Sequence, residues 1–417
     1  MLKKIFTIFS MILLFTTLSF AGGNDWPERT GGYARLFALG NNNTFVADPF
    51  FMTVNPAWGA YYDNFLMADI GSQVAAFDNN GVGQFALVNF RIDKPLTLGA
   101  MFSRNTFNGI AISKADPLGL VNQFNGVSPV GAVNLDNVVE LMGAFTTGTL
   151  NIGLGISYAG TSNDATPAAG NGTETSASQL GFNAGIIVEP TKQILIDFGA
   201  SLMMIGAKHK PATGNEWKFS QTIIGVNARA FIGISKVLKF VPGATFITAT
   251  GTADIGGATT TSSDLPSFTV IAVGLGLNYR VGDFLIAGGP GFISQSLKTA
   301  AVPNAAPELT TTTTIFPAVN LGAEWNLLDW LTGRIGYVLT TTSVTTQNAA
   351  SPTTTNETVA TNFLGPNGVT LGIGFKFGSF SLDAVVNEDV LRQGLGNVGD
   401  NNTVPMFAYM SASYAID

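Results

Sequence analysis

His209 is the one histidine among 417 residues, and it stands in Lys208-His209-Lys210-Pro211, between two cations. Protease and phospholipase barrels take their general base from histidine, and a histidine so flanked, at the outer end of a strand, reads as a surface-loop residue. The sequence has no HExxH, no GxSxG, no phosphate-binding loop and no cysteine, so zinc, nucleophilic, phosphoryl-transfer and thiolate chemistry lack the residues they need. Asp78-Asn79-Asn80 and Asp400-Asn401-Asn402 have oxygen ligands suited to weak calcium binding, but as Asx-rich tripeptides they read first as turns. The expectation is a protein that is not an enzyme and has neither cofactor nor metal.

The charges that remain of interest are Arg229, Arg280, Glu324, Arg334, Lys376 and Asp383. Two uses are open to them. They can pair with one another and hold another segment in place, or one cation among Arg229, Arg280 and Lys376 can attract the carboxylate head of an otherwise apolar ligand. Each lies in a stretch where apolar residues alternate with small or polar ones, and each falls on the small-or-polar phase.

That alternation defines the elements. Leu150, Ile152, Leu154, Ile156 and Tyr158 interleave with Asn151, Gly153, Gly155 and Ser157; Ile271 to Tyr279 and Val369 to Phe377 repeat the pattern. A period of two marks strands. Sixteen are expected, near 64–77, 82–93, 96–104, 138–147, 149–159, 178–189, 193–207, 216–232, 236–250, 267–280, 283–298, 312–326, 329–344, 366–376, 378–388 and 404–416. Their links alternate between short turns and mostly long loops rich in Thr, Ser, Asn, Ala and Gly, including 105–137, 160–177, 345–365 and 389–403; the Thr-rich tracts Thr310 to Thr314 and Thr353 to Thr355 read as solvated loop ends. Short turns at one end and long loops at the other are the mark of an outer-membrane barrel. Lipid offers no hydrogen bonds, so a sheet within it must close, with its apolar face outward. A lipid-facing Arg at mid-bilayer would cost about 2–4 kcal/mol, which explains the phase of the six charges. Trp325, Trp330, Tyr337, Tyr279 and Phe377 lie near the short-turn ends, where an aromatic girdle belongs.

Composition agrees with a wall that meets lipid. Only 11% of the residues are charged, while 46% are hydrophobic and 49 are glycine, against about 25% charged in a soluble domain. No apolar run after the first twenty residues suits a membrane helix. Lys3 and Lys4, the apolar Ile5 to Leu18, and Ser19-Phe20-Ala21 read as a signal peptide cleaved after Ala21. Its removal leaves 18 basic against 27 acidic groups, a net charge of −9 over 396 residues, which offers no basic footprint for nucleic acid, and no such partner is expected.

Residues 22–63 break the strand pattern. Phe50, Phe51, Met52 and Trp58 are too apolar for a free tail, and a barrel of fourteen or more strands has room for a plug. The organisation expected is therefore a signal peptide (1–21), an N-terminal plug or hatch (22–63) and an all-β, antiparallel up-and-down barrel of 14–16 strands (64–417).

Gly31-Gly32, Ala34, Gly40, Ala47-Asp48 and Asn55-Pro56-Ala57, followed directly by a long barrel, resemble the N-terminus of the FadL-like family of outer-membrane transporters, a start shared by PorV-type secretion barrels. The motif likeness covers about residues 30–70. Trp58 stands where the family often has Gly, and the chain ends Tyr414-Ala415-Ile416-Asp417 without a terminal aromatic. The resemblance implies fourteen strands, a lumenal hatch, and hydrophobic ligands such as fatty acids or hydrocarbons bound beside it, at Phe50, Phe51, Asn55, Pro56, Ala57 and Trp58. The function expected is passive transport of hydrophobic small molecules across the cell outer membrane, with the bilayer, the ligand and the barrel-assembly machinery as partners. The alternatives are a PorV-like barrel that binds or escorts secreted proteins through loops 105–137 and 345–365, and a general porin.

Overall fold

The computed structural model describes residues 30–40, 44–71, 84–104, 107, 111–127, 132–165, 172–257, 259–299, 308–348, 351–359, 368–386 and 407–416. The signal peptide and the two Asx tripeptides lie outside them. Eighteen strands follow in chain order: β1 (Phe65–Gly71), β2 (Phe85–Asp93), β3 (Leu96–Arg104), β4 (Asn137–Thr147), β5 (Leu150–Ala165), β6 (Thr173–Thr191), β7 (Ile194–Lys210), β8 (Trp217–Gly233), β9 (Leu238–Ile255), β10 (Thr261–Asp264), β11 (Ser267–Val281), β12 (Phe284–Thr299), β13 (Leu309–Leu328), β14 (Leu331–Asn348), β15 (Ser351–Val359), β16 (Val369–Phe377), β17 (Phe380–Val386) and β18 (Phe407–Ala415). Among the described residues β10 pairs only with β9, and β15 only with β14. The other sixteen form one antiparallel wall, closed where β1 pairs β18 from Phe65↔Ala415 to Gly71↔Tyr409. Every expected strand has its counterpart, and the count is sixteen rather than the fourteen that the resemblance implies.

The wall is inside out relative to a soluble sheet. The apolar phase faces outward, with Leu154 64% and Leu275 57% exposed, while Asn151, Ser157, Gln179, Asn183 and Asp197 are buried in the lumen. Trp325, Trp330, Tyr279 and Phe377 are exposed at the short-turn end, in the position of an interfacial girdle. The two-residue turns there use glycines in the left-handed region, Gly148 at φ 59°, Gly282 at 54° and Gly378 at 61°, a conformation that costs glycine nothing.

At the long-loop end the strands run further than the alternation suggests. β5 continues to Ala165 and β6 starts at Thr173, with Asn163↔Thr175 in register and Lys208 bridging Glu174 at 3.0 Å. Above the lipid the outward face of a strand meets water in place of hydrocarbon, so the hydrophobic alternation fades while the hydrogen-bond ladder continues. Thr310 to Thr314 likewise belong to β13, and residues 353–355 to β15. His209 is within β7 and buried, its Nδ1 2.8 Å from the Thr175 hydroxyl. The reading of it as a surface-loop residue fails because β7 outlasts the apolar pattern and keeps turning alternate side chains into the lumen.

The lumen is filled from both ends. The N-terminal segment contributes helix α1 (Tyr33–Ala38) and two 3-10 turns, Pro49–Thr53 and Pro56–Ala60, and packs with Leu195, Phe231, Val241 and Leu285 in the short-turn half. From the other end, the β3–β4 connection folds inward with helix α2 (Leu120–Val127). Its Leu120, Val121 and Phe124 pack with Met203, Ile205, Phe219 and Ile223 in the long-loop half.

Candidate functional site

Two Asx-Pro steps shape the N-terminal segment. Asp48 and Asn55 are N-caps, each followed by proline at the first position: Asp48 Oδ1 accepts from Phe50 N at 2.9 Å, and Asn55 Oδ1 accepts from Ala57 N at 2.9 Å. Side-chain caps and proline at N1 are the strongest local start signals for a short helix. The Ala-Asp-Pro and Asn-Pro-Ala motifs thus have a mechanical meaning: they coil an apolar segment so that it fits a barrel lumen.

Asp197 on β7 is the hub below the second turn. Its Oδ1 accepts from Asn55 Nδ2 at 2.6 Å, and its Oδ2 accepts from Trp58 Nε1 at 2.8 Å and from Arg229 Nε at 2.7 Å. Arg229 Nη1 donates to the carbonyls of Thr44 and Val46 at 3.1 and 3.2 Å, and its guanidinium lies 3.6 Å from the Phe51 ring centroid, a cation–π arrangement. Phe50, Phe51, Asn55, Pro56, Ala57 and Trp58 are all buried, Trp58 completely.

A second network anchors α1. Glu324 on β13 accepts from Arg35 Nε at 2.8 Å and Nη2 at 3.0 Å, and from Arg334 Nε at 2.7 Å; Arg334 Nη1 reaches Asp383 at 2.6 Å, and Arg35 Nη1 reaches Asp48 at 3.1 Å. Charges buried in a lumen must be paired, and here they are paired with the plug. Burial pushes the Asp48 carboxyl up to about 7, although Arg35 and the Phe50 N–H both pull it down.

Four of the six expected charges, Arg229, Glu324, Arg334 and Asp383, are thus buried in these networks. Arg280 stands half exposed at the mouth, its Nη2 3.8 Å from Glu324, and Lys376 is exposed at the end of β16. Both have the inward phase but lie in the last residues of their strands, where the lumen opens to solvent. Arg35, Asp197, Asp69 and Glu140 are absent from the expected set. Asp197 carried the same signal as Arg229, a charge on the small-residue phase of its strand.

Glycines on the inward phase make the seat. A Cβ at Gly185 would overlap the Asn55 carboxamide, one at Gly153 the Pro56–Ala57 peptide, those at Gly322 and Gly336 the Leu39–Gly40 backbone, and one at Gly276 the Phe45 ring.

Aromatic rings join the two plugs. Phe50 packs with Tyr33, Phe51 and Phe85, and meets Phe107 of the β3–β4 connection with ring centroids 5.7 Å apart; Tyr33 and Phe37 in turn meet Tyr409 of β18. Two cavities lie away from this junction. One, about 580 Å³, lies at the long-loop mouth by Lys114, Asp116, Asn122 and Asp136. The other, about 650 Å³, is an apolar depression on the lipid side between Leu141, Leu154, Ile156, Phe182, Leu202 and Ile224.

No family model matches the chain, and no curated protein matches it. Among solved structures it is similar to a FadL homologue of Pseudomonas aeruginosa, at 12% identity over 95% of this chain and 100% of that one, TM-score 0.42. It is also similar to the toluene transporter TodX of Pseudomonas putida, at 10% identity over 92% and 96%, TM-score 0.35. The FrpB iron transporter of Neisseria meningitidis matches at 11% identity and TM-score 0.40 over 79% of this chain, which spans 62% of FrpB.

Proposed function

We propose that this barrel is an outer-membrane conduit that lets hydrophobic small molecules pass down their gradient. The observation that carries the reading is the aromatic junction of Tyr33, Phe37, Phe50, Phe51, Phe85, Phe107 and Tyr409 inside the lumen. A general porin needs a wet, polar channel, whereas an apolar lumenal cluster is what an apolar solute partitions into. The escort reading would use loop 105–137 as an outer contact surface, but the apolar side of α2, Leu120, Val121 and Phe124, is spent on packing inside the lumen.

The test is uptake by proteoliposomes of a small aromatic hydrocarbon and of sucrose, each against empty vesicles. Faster entry of the hydrocarbon with no sucrose entry supports the reading; equal acceleration of both would make the protein a porin, and acceleration of neither would remove the transport reading.

A further inference from the structure

We infer that the outer wall over β6–β8 holds one phosphate-bearing lipid of the outer leaflet, its headgroup on a row of lysines and the end of an acyl chain in a notch beneath them. The notch is the apolar depression of about 650 Å³ on the lipid side. Side-chain size makes it. Ala184 of β6 and Ala200 of β7 face each other in register, with Phe182 opposite Leu202 in the outward row above and Ile186 opposite Phe198 in the outward row below. Two small side chains among large ones leave a hollow, and Leu154 and Ile224 close its sides. Hydrocarbon fills such a hollow, because an empty one would cost its lining the contacts it lacks.

Above the notch the outward phase turns basic. It reads Leu202, Met204, Gly206, Lys208, Lys210 going up β7, and Ile224, Thr222, Ser220, Lys218 going up β8. Lys208 stands directly opposite Lys218, and all three lysines are exposed. Like charges opposed across a ladder repel. The carboxylates nearby offset this only in part. Glu174 meets Lys208 at 3.0 Å, but an exposed pair of this kind is worth little. Asp254 faces Lys218 from β9 and accepts from the Ser262 hydroxyl at 2.6 Å, while Asp164 and Glu216 lie further out, at strand ends. Among the described residues Lys210 and Lys218 form no ion pair. A phosphate placed between Lys208 and Lys218 removes the repulsion.

Spacing selects the same occupant. Six residues separate Leu202 from Lys208 and Ile224 from Lys218, which is about 20 Å along a strand and, at a tilt of about 35–45°, about 15 Å across the membrane. That is one leaflet's share of a hydrocarbon core about 30 Å thick. A lipid whose phosphate lies at the lysines therefore ends its chains at the notch. A soluble anion would use the lysines alone, and an alkane the notch alone.

Native mass spectrometry of the delipidated full-length protein, titrated with dimyristoylphosphatidylglycerol or dimyristoylphosphatidylcholine, tests this. One phosphatidylglycerol is expected to be retained in preference to phosphatidylcholine, whose choline cancels the phosphate charge. Lys208→Gln and Lys218→Gln should each cut that preference about fivefold, the worth of one lysine at a membrane surface. Lys298→Gln, at the same end of the barrel but on β12, should leave it unchanged. Ala200→Leu, which fills the notch, should lower retention of both lipids and keep their ratio. The melting midpoint in the same detergent identifies any variant that has not folded, and the lysine variants, at exposed positions, then decide. Equal retention of the two lipids overturns the inference, and so does a preference that survives both lysine substitutions or falls as far in Lys298→Gln. Unaltered retention in Ala200→Leu, or displacement of the lipid by an equal concentration of glycerol phosphate, overturns it by making the notch irrelevant. A dimer that Ala200→Leu abolishes would give the notch to a second copy of the chain instead.

Discussion

Asn55 occupies the space that a side chain at position 185 would need, so the carboxamide of the plug and the bare backbone of β6 are one fitted contact. The same carboxamide caps its own 3-10 turn and donates to Asp197, so displacing it disturbs three interactions together. Gly185→Val is therefore expected to unseat the N-terminal segment while the ladders on either side of β6 persist. Limited proteolysis should cut the segment in this variant and spare it in the wild type. Gly126→Ala is the control, because no atom lies within 4 Å of the Cβ it adds; continued protection of residues 44–63 in Gly185→Val would show that the fit is not needed.

Glu324 serves two arginines at once, and the energetic consequence is specific. Breaking a buried ion pair by removing one partner costs about 3–5 kcal/mol, whereas replacing all partners with apolar groups of similar volume is often neutral. Glu324→Leu should thus destabilise the barrel in urea by an amount of that order. Adding Arg35→Met and Arg334→Met should recover much of the loss only if Asp48 and Asp383 are neutralised too, since those carboxylates would otherwise be stranded. A triple variant as stable as the wild type with Asp48 and Asp383 intact would disprove the linkage.

The barrel was legible in the sequence because lipid enforces a rule on every second residue: Leu150 to Tyr158 announce both the strand and its outer face. Strand ends above the lipid were not legible, since beyond about Ala159 the outward face meets water and is released from that rule. For the lumen, the in-phase charges pointed to buried networks, but Arg35 sits on a six-residue helix with no period to expose it. The inward glycines were visible as small residues without a purpose; what they receive depends on contacts as remote as Leu39 with Gly322 and Gly40 with Gly336. The second plug was missed because loop 105–137 is joined to β3 and β4 at the end where loops usually meet solvent, and only its helix, Leu120–Val127, shows an apolar face.

Asp48 gives the plug a pH dependence. Its folded-state pKa is raised from the usual carboxylate range to about 7, so between pH 4 and 7 the folded state holds a proton that the unfolded state has released. Stability then falls as pH rises through that window, by up to about 1.4 kcal/mol per unit, and the contribution of Asp48 is flat above it. Asp48→Asn, which keeps the cap acceptor, should lessen the slope measured by urea unfolding at pH 5, 6 and 7. An unchanged slope would assign the titration to another group.

Two plugs in series predict a non-additive effect on conductance. The N-terminal segment fills the short-turn half with Leu195, Phe231 and Leu285, and α2 fills the other half through Phe124, whose ring meets Phe219 edge-on at 5.4 Å. Each is expected to block the path alone. Deleting residues 22–60 should therefore leave single-channel conductance in planar bilayers low, and so should deleting 111–127, while removing both should open a channel of the size expected for sixteen strands. Phe124→Ala, at a cost of about 3–5 kcal/mol for a buried aromatic, should loosen the outer plug enough for the first deletion alone to show brief openings. Full conductance after either single deletion would mean that the remaining plug does not seal, and that one segment alone governs entry.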